Sequence, residues 1–253
     1  MHDHALFVQA VSGFTHWLLE PHASITVLER LTDRATAVLD LVGSGILLDI
    51  DGVLTFATAV PEQVADLEEV QEREQQGPGV DAYASGHVVT SPDLSVEDRW
   101  GRYAAMAVAR GLHATAGIPL RAGDIRVGAM SVYAASPREW LEDDIAALSA
   151  LADVATGCLV SGSRQRGKDD LVRQLRGALE SRVAIEQAKG FLAAQEGITV
   201  EEAFARIRRY ARDHNASLRS IVAQLRARRI SWRSGAVDAP RAASASWPRP
   251  PWS

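Results

Sequence analysis

The sequence predicts an α+β domain, an antiparallel sheet flanked by helices, followed by an all-α module with a short coiled-coil seam and three helices. Three observations carry that reading. Prolines punctuate the first part of the chain, at 21, 61, 78, 92, 119 and 137, and none then follows until Pro240. A long stretch rich in Ala, Leu, Arg and Glu is thereby free to be helix broken only by short turns. Strand-and-turn signatures are confined to the first part. Charge divides the chain at the same place: residues 1–163 carry 9 Lys and Arg against 23 Asp and Glu, whereas residues 164–233 carry 16 against 8. The expected organisation is a domain over 6–163, a helical domain over 164–230 and a tail over 231–253 whose Pro, Ala and Ser content reads as disorder.

The elements follow in order. Phe7–Leu19 and Ile25–Leu41 place apolar residues at helical spacing. Gly45–Leu54 reads as a strand, a tight Asp51-Gly52 turn and the start of a second strand. Pro61–Gln76 is acidic and helical, and His87–Thr90 is a short strand halted at Ser91-Pro92. Trp100–Arg110 is a helix closed by Gly111. Ala114–Leu120 and Arg126–Tyr133 pair around Ala122-Gly123-Asp124, and Leu141–Val160 is a long apolar helix. The acidic side chains scattered through this part read as solvated faces.

A length of 253 residues admits one or two domains, and 47% hydrophobic with 23% charged residues is ordinary for a globular chain. Met1-His2-Asp3-His4 has neither a basic nor an apolar run, so no signal peptide and no membrane association are expected. The single cysteine, Cys158, has no intrachain partner, which fits a reducing cytoplasm.

In the helical part, Leu171, Leu175, Ala178, Arg182 and Ile185 repeat at spacings of four and three, a seam consistent with a homodimer. That helix ends near Gly197. Thr199 with Glu202 forms a capping box for a second helix whose inner face holds Ala203, Phe204, Ile207, Tyr210 and Ala211. The helix stops near His214-Asn215, and Ser217 caps a third with Leu218, Ile221, Val222 and Leu225 inward. Arg206, Arg208, Arg209, Arg212, Arg226, Arg228 and Arg229 crowd the outer face. Such density is repulsive unless an anion compensates it, and arginine suits phosphate and splayed bases. The competing interpretation is a solvated basic surface.

Several segments resemble the GAF domain family. Gly45–Gly52 resembles its first hairpin, Gly77–Gly86 its "GP…A…G" segment, and Asp98-Arg99-Trp100 with Gly111-Leu112 its "D-x-RW…G" segment. Ile118–Arg121 and Gly128–Tyr133 resemble its "PL…GALNLY" strand pair. The resemblance implies a sensory domain with a six-stranded antiparallel sheet and a pocket on one face. GAF domains variously hold cyclic nucleotides, haem, bilins or other small molecules, and many hold nothing; the sequence names no ligand and no cofactor. Cys158 is poorly placed for a bilin, and His87 and His113 read as surface or packing residues rather than haem ligands. Gly79 departs from the many relatives of this subtype that carry a cysteine there, so a thiol role is not carried over.

Leu179–Leu192 resembles the signature "SR…IEQAKG.L" of the ANTAR family, the RNA-binding output domain of transcription antitermination regulators, over about residues 165–230. What this implies is binding to paired RNA hairpins in nascent messages, with competing terminator hairpins suppressed. By motif, Arg182, Gln187, Lys189 and Gly190 on the first helix and Arg208 and Arg209 on the second are the expected RNA-binding residues. Lys189 and the arginines would hold phosphates or loop bases, and Gly190 would permit close approach or serve helix packing.

Gly162–Asp169 almost spells a P-loop, but Asp169 replaces the Ser/Thr and a helix precedes it, so it reads as a hinge. No HExxH, nucleophile elbow or zinc-spaced cluster occurs, so no catalysis is expected. A DNA-binding regulator with a GAF small-molecule sensor is the alternative.

Overall fold

Asp51 and Gly52 adopt φ of 56° and 86°, the two-residue turn whose twist matches that of its flanking strands. This turn joins β1 (Gly43–Ile50) to β2 (Val53–Val60) in a computed structural model that describes residues 2–17, 24–161, 168–213, 221–222, 232–233 and 236–237. With β3 (Val89–Ser91), β4 (Ala114–Ala122) and β5 (Ile125–Ala134) they form one antiparallel sheet in the order β2-β1-β5-β4-β3. Among the described residues the sheet has five strands, where the family resemblance implied six. The residues themselves supply five extended segments, and after β2 the chain passes directly into helix.

Two layers of helix cover the sheet. On one face lie α1 (His4–Trp17), α2 (Ser24–Val38), α6 (Glu142–Ser161) and the first half of α7 (Lys168–Glu196), which close a core through Phe14, Leu31, Ile46, Ile118, Leu148 and Leu175. α6 is long and apolar enough to cross a membrane, with a mean hydropathy of 1.5, yet Leu148, Leu151, Ala155 and Leu159 are spent on that core. On the other face lie α3 (Ala65–Glu74), α4 (Pro78–Ser85) and α5 (Gly101–Ala109), packed through Phe56, Leu67, Trp100, Tyr103 and Tyr133.

α4 shows no helical period in the sequence, although its start and stop are written there. Pro78 occupies the first turn, where its missing N–H is no loss, and Gly86 closes the helix at φ 72°. Its N-terminus rests directly on β4, where a Cβ at Gly117 would fall 2.0 Å from the Pro78 carbonyl oxygen. Only glycine admits that approach.

The chain forms two compact units, Met1–Val183 and Ala184–Ser253. In the second, Gly197 (φ 64°) ends α7. The capping box is reciprocal: Thr199 N donates to Glu202 Oε2 at 3.0 Å, and Glu202 N donates to Thr199 Oγ1 at 3.1 Å. It starts α8 (Val200–Asp213), whose Ala203, Ile207 and Tyr210 bury against Ile185, Ala188 and Leu192 of α7 and against Ile221 and Val222. Tyr210 is therefore a core ring, not an exposed stacking platform. Of the expected third helix only Ile221 and Val222 are described, and both are helical. The hinge at 162–167 and Leu218, Leu225, Arg226, Arg228 and Arg229 lie outside the described residues. Within the tail, Trp232–Arg233 pairs with Ala236–Val237 as a minimal antiparallel ladder, order that the composition gave no reason to expect.

Candidate functional site

The expected RNA-binding residues divide into three kinds of position. Gln187 and Gly190 are exposed on α7, and a Cβ at Gly190 would meet nothing within 4 Å. Among the described residues nothing packs closely on Gly190, and Ala188 is the packed residue of the pair, at 2% exposure. Phe191, beside them, is 50% exposed. On α8, Arg209 is exposed and Arg206 lies 3.7 Å from Glu196 in an ion pair. The Arg208 and Arg212 side chains lie outside the described residues, although both belong to α8.

Lys189 differs from the expectation. It is 1% exposed, ion-paired with Glu186 at 2.8 Å, and its ammonium sits 4.7 Å from the Phe204 ring centroid. A charge withdrawn from water needs such partners. As placed, Lys189 ties α7 to α8, and a phosphate reaches its Nζ only if the Glu186 pair opens.

Arg182 differs again. Its side chain belongs to the first unit, where Nη1 donates to the Phe56 carbonyl oxygen at 3.1 Å and Nη2 to Glu69 Oε1 at 2.9 Å. The guanidinium carbon stands 3.8 Å from the centroid of the Phe56 ring. Two of its neighbours in the expected coiled-coil seam, Leu175 and Ala178, are buried in the same unit's core.

The first unit also holds a buried polar cluster, in contrast to the solvated faces expected of its acidic residues. Glu68 and Gln71 are both fully buried, one turn apart on the inner face of α3. Gln71 Nε2 donates to Glu68 Oε2 and to Ser131 Oγ, each at 3.0 Å, while its Oε1 accepts from Gly79 N at 2.9 Å. One amide thereby meets all its obligations and also satisfies an orphan N–H in the first turn of α4. Tyr133 Oη donates to Glu68 Oε1 at 2.5 Å. Gly45 makes room for the carboxylate, since a Cβ there would fall 2.4 Å from Glu68 Cγ.

Burial pushes the Glu68 carboxyl up to about 8, against the opposing hydrogen bonds from Tyr133, Gln71 and Ser131. The same burial, with the nearby Glu68 carboxyl, raises the phenols of Tyr103 and Tyr133 well above their ordinary value. Tyr103 Oη makes no hydrogen bond of normal geometry, although the Tyr133 and Thr115 hydroxyls lie close enough to affect its titration. At neutral pH the cluster is thus a set of uncharged donors and acceptors around one spare hydroxyl. The signal for it was available: Glu68 and Gln71 are spaced i, i+3 in phase with Leu67 and Val70, so they share the apolar face of α3.

Gly79 sits at the same cluster, where a Cβ would be 2.9 Å from Ser131 Oγ and 3.2 Å from Gln71 Oε1. The space a cysteine would occupy is taken by the hydrogen-bond network. Cys158 lies elsewhere, its Sγ 3.5 Å from the Phe14 carbonyl oxygen in a helix contact. His87 is exposed and bonds to Ser85, and His113 is half-buried. Among the described residues no group of three or more His, Cys, Asp and Glu is placed to hold a metal.

This architecture, an antiparallel sheet between two layers of helix, is that of a GAF domain. The chain belongs to the GAF domain family, whose model matches residues 24–159. An ANTAR domain model matches residues 173–225, the end of the chain that carries the basic helices. No curated protein matches the chain.

Among solved structures, the GAF domain of a phosphoenolpyruvate-protein phosphotransferase from Coxiella burnetii is similar over 64% of this chain and 96% of its own, at 12% identity and a TM-score of 0.50. The corresponding Acinetobacter GAF domain gives 13% identity, 64% and 96% coverage and a TM-score of 0.49. Free methionine-R-sulfoxide reductase from Neisseria meningitidis gives 15% identity, 64% and 93% coverage and 0.48. At such identities the likeness is one of fold. The chain is a regulator that joins a GAF sensor domain to an ANTAR output domain.

Proposed function

We propose that this protein is a signal-responsive, RNA-binding transcription antitermination regulator that binds paired hairpins in nascent mRNA. The observation that carries the reading is the ANTAR match over 173–225 together with the side chains its helices present. Gln187 and Arg209 are exposed, and Gly190 leaves the backbone of α7 open to a ligand. Arg209 supplies charge and a planar fork for phosphate. Gln187 has the donor and acceptor to read an unpaired base, and hairpin loops offer such edges where the deep groove of an A-form stem does not. Lys189 contributes by fixing the angle between the two helices that carry these groups.

The regulator acts in the cytoplasm without catalysis of its own; Leu175 and Ala178, of the seam expected to join a homodimer, are taken up by the first unit's core. Its signal is a small molecule received by the GAF domain.

Binding to a two-hairpin RNA, against a loop-scrambled RNA and matched duplex DNA at physiological salt, tests the output. Preference for intact hairpins, lost in Arg209→Ala, is the expected result. Equal and steeply salt-dependent binding to all three replaces it with generic phosphate attraction and favours the DNA-binding alternative.

A further inference from the structure

Arg182 occupies a particular place in the sheet. β2 is an edge strand, and its pairing with β1 shifts between Ile46 and Leu47, whose partners are Thr58 and Phe56, so Ala57 is an extra, bulged residue. A bulge on an edge leaves backbone carbonyls without ladder partners. The Phe56 carbonyl is satisfied by the Arg182 guanidinium from α7. The same guanidinium stacks on the Phe56 ring and pairs with Glu69. Six residues earlier, Arg176 is ion-paired with Asp51 at the tip of the β1–β2 turn, and Leu175 beside it and Ala178 between the two arginines are buried. The first half of α7 is thus fastened along the sensor at three successive points.

Three properties make arginine a ligand for RNA: its positive charge, its planar fork of donors and its flat stacking face. In Arg182 each is engaged, by Glu69, by the Phe56 carbonyl and by the Phe56 ring respectively, and only 25% of the side chain is exposed. A phosphate or base therefore competes with these partners for the same surfaces. Glu69, moreover, adjoins Glu68 on α3, so the residue that pairs with Arg182 shares a helical turn with the residue at the heart of the buried cluster.

We propose that the sensor domain withholds Arg182 from RNA: the β2 bulge and Glu69 form a closed latch on α7, and release of Arg182 is the step by which the sensor switches the output on. This rests on the RNA-binding reading above and adds the means of its control. The latch is held by contacts that water and salt can weaken, which suits a switch: exposed ion pairs of this kind contribute little each.

The test uses the full chain with Glu69→Gln, which removes the charge and keeps the shape. Glu72→Gln on the same helix is the charge-matched control. Hairpin affinity and modification of Arg182 by phenylglyoxal, read by mass spectrometry, are measured together. Glu69→Gln is expected to raise hairpin affinity by about two- to fivefold and to raise Arg182 modification, with Glu72→Gln unchanged in both. Adding Arg182→Ala to Glu69→Gln is expected to erase the gain. Unchanged modification in Glu69→Gln overturns the latch, as does increased modification with no gain in affinity. An affinity gain in Glu72→Gln equal to that in Glu69→Gln overturns it too, by reducing the effect to net charge. Absence of hairpin binding in the wild type and in all variants, whatever the modification shows, refutes instead the RNA-binding reading on which the latch stands.

Discussion

Replacing Glu68 by Gln is expected to stabilise the sensor domain in a strongly pH-dependent way. Glu68 is 0% exposed, and burial raises its carboxyl from an ordinary 4.5 to about 8. Between those values the unfolded chain releases a proton that the folded chain keeps. The stability that Glu68 contributes is thus fully present below pH 4.5 and is lost as pH rises through 8, at about 1.4 kcal/mol per pH unit. The loss amounts to about 3 kcal/mol at pH 7 and about 4 kcal/mol at pH 8.

Glutamine has no proton to release there. Its carbonyl oxygen can accept from Gln71 Nε2, and its amide can donate to Tyr133 Oη, so the network around the position survives. Urea unfolding followed by fluorescence of the buried Trp100 should show little difference between Glu68→Gln and wild type near pH 4.5. The variant should lead by about 3 kcal/mol near pH 7. A difference that is constant across this range, or a variant less stable at both ends, refutes the claim that Glu68 is held neutral by burial.

Two further predictions concern packing. Lys189→Met keeps the buried stem and drops the ammonium, so helix content by circular dichroism should persist; a direct phosphate role would instead show as lost hairpin affinity in a folded variant. Gly117→Ala places a methyl group 2.0 Å from the Pro78 carbonyl oxygen and should cost about 2–3 kcal/mol by forcing α4 off the sheet, measured as a lowered unfolding midpoint.

Much of the fold was legible because its signals are local. The Asp51-Gly52 turn, the Gly111 stop and the Thr199–Glu202 capping box each lie within a few residues, and each took the form that its chemistry dictates. α4 was missed because eight residues are too few to display a helical period, leaving only Pro78 and Gly86 to mark its ends. The site was less legible for a different reason. Lys189 reads as a surface cation until Phe204, fifteen positions on, is folded against it. Arg182 reads as a free RNA ligand until Phe56 and Glu69, more than a hundred positions away, meet it. Glu68 was hidden among six acidic residues between 62 and 74, and only phase with Leu67 and Val70 separates it from them.

α7 runs unbroken from Lys168 to Glu196, and that continuity limits what insertion or deletion this chain tolerates. A helix turns by about 100° for each residue added, so one extra residue between Arg182 and Gln187 would rotate every later side chain by more than a quarter of a turn. An insertion just after Ile185 would turn that residue out of the core it shares with Ala188 and Leu192. Additions of about seven residues, two nearly complete turns, restore the phase. Viable length variants in this stretch should therefore come in steps of about seven, like teeth on a ratchet.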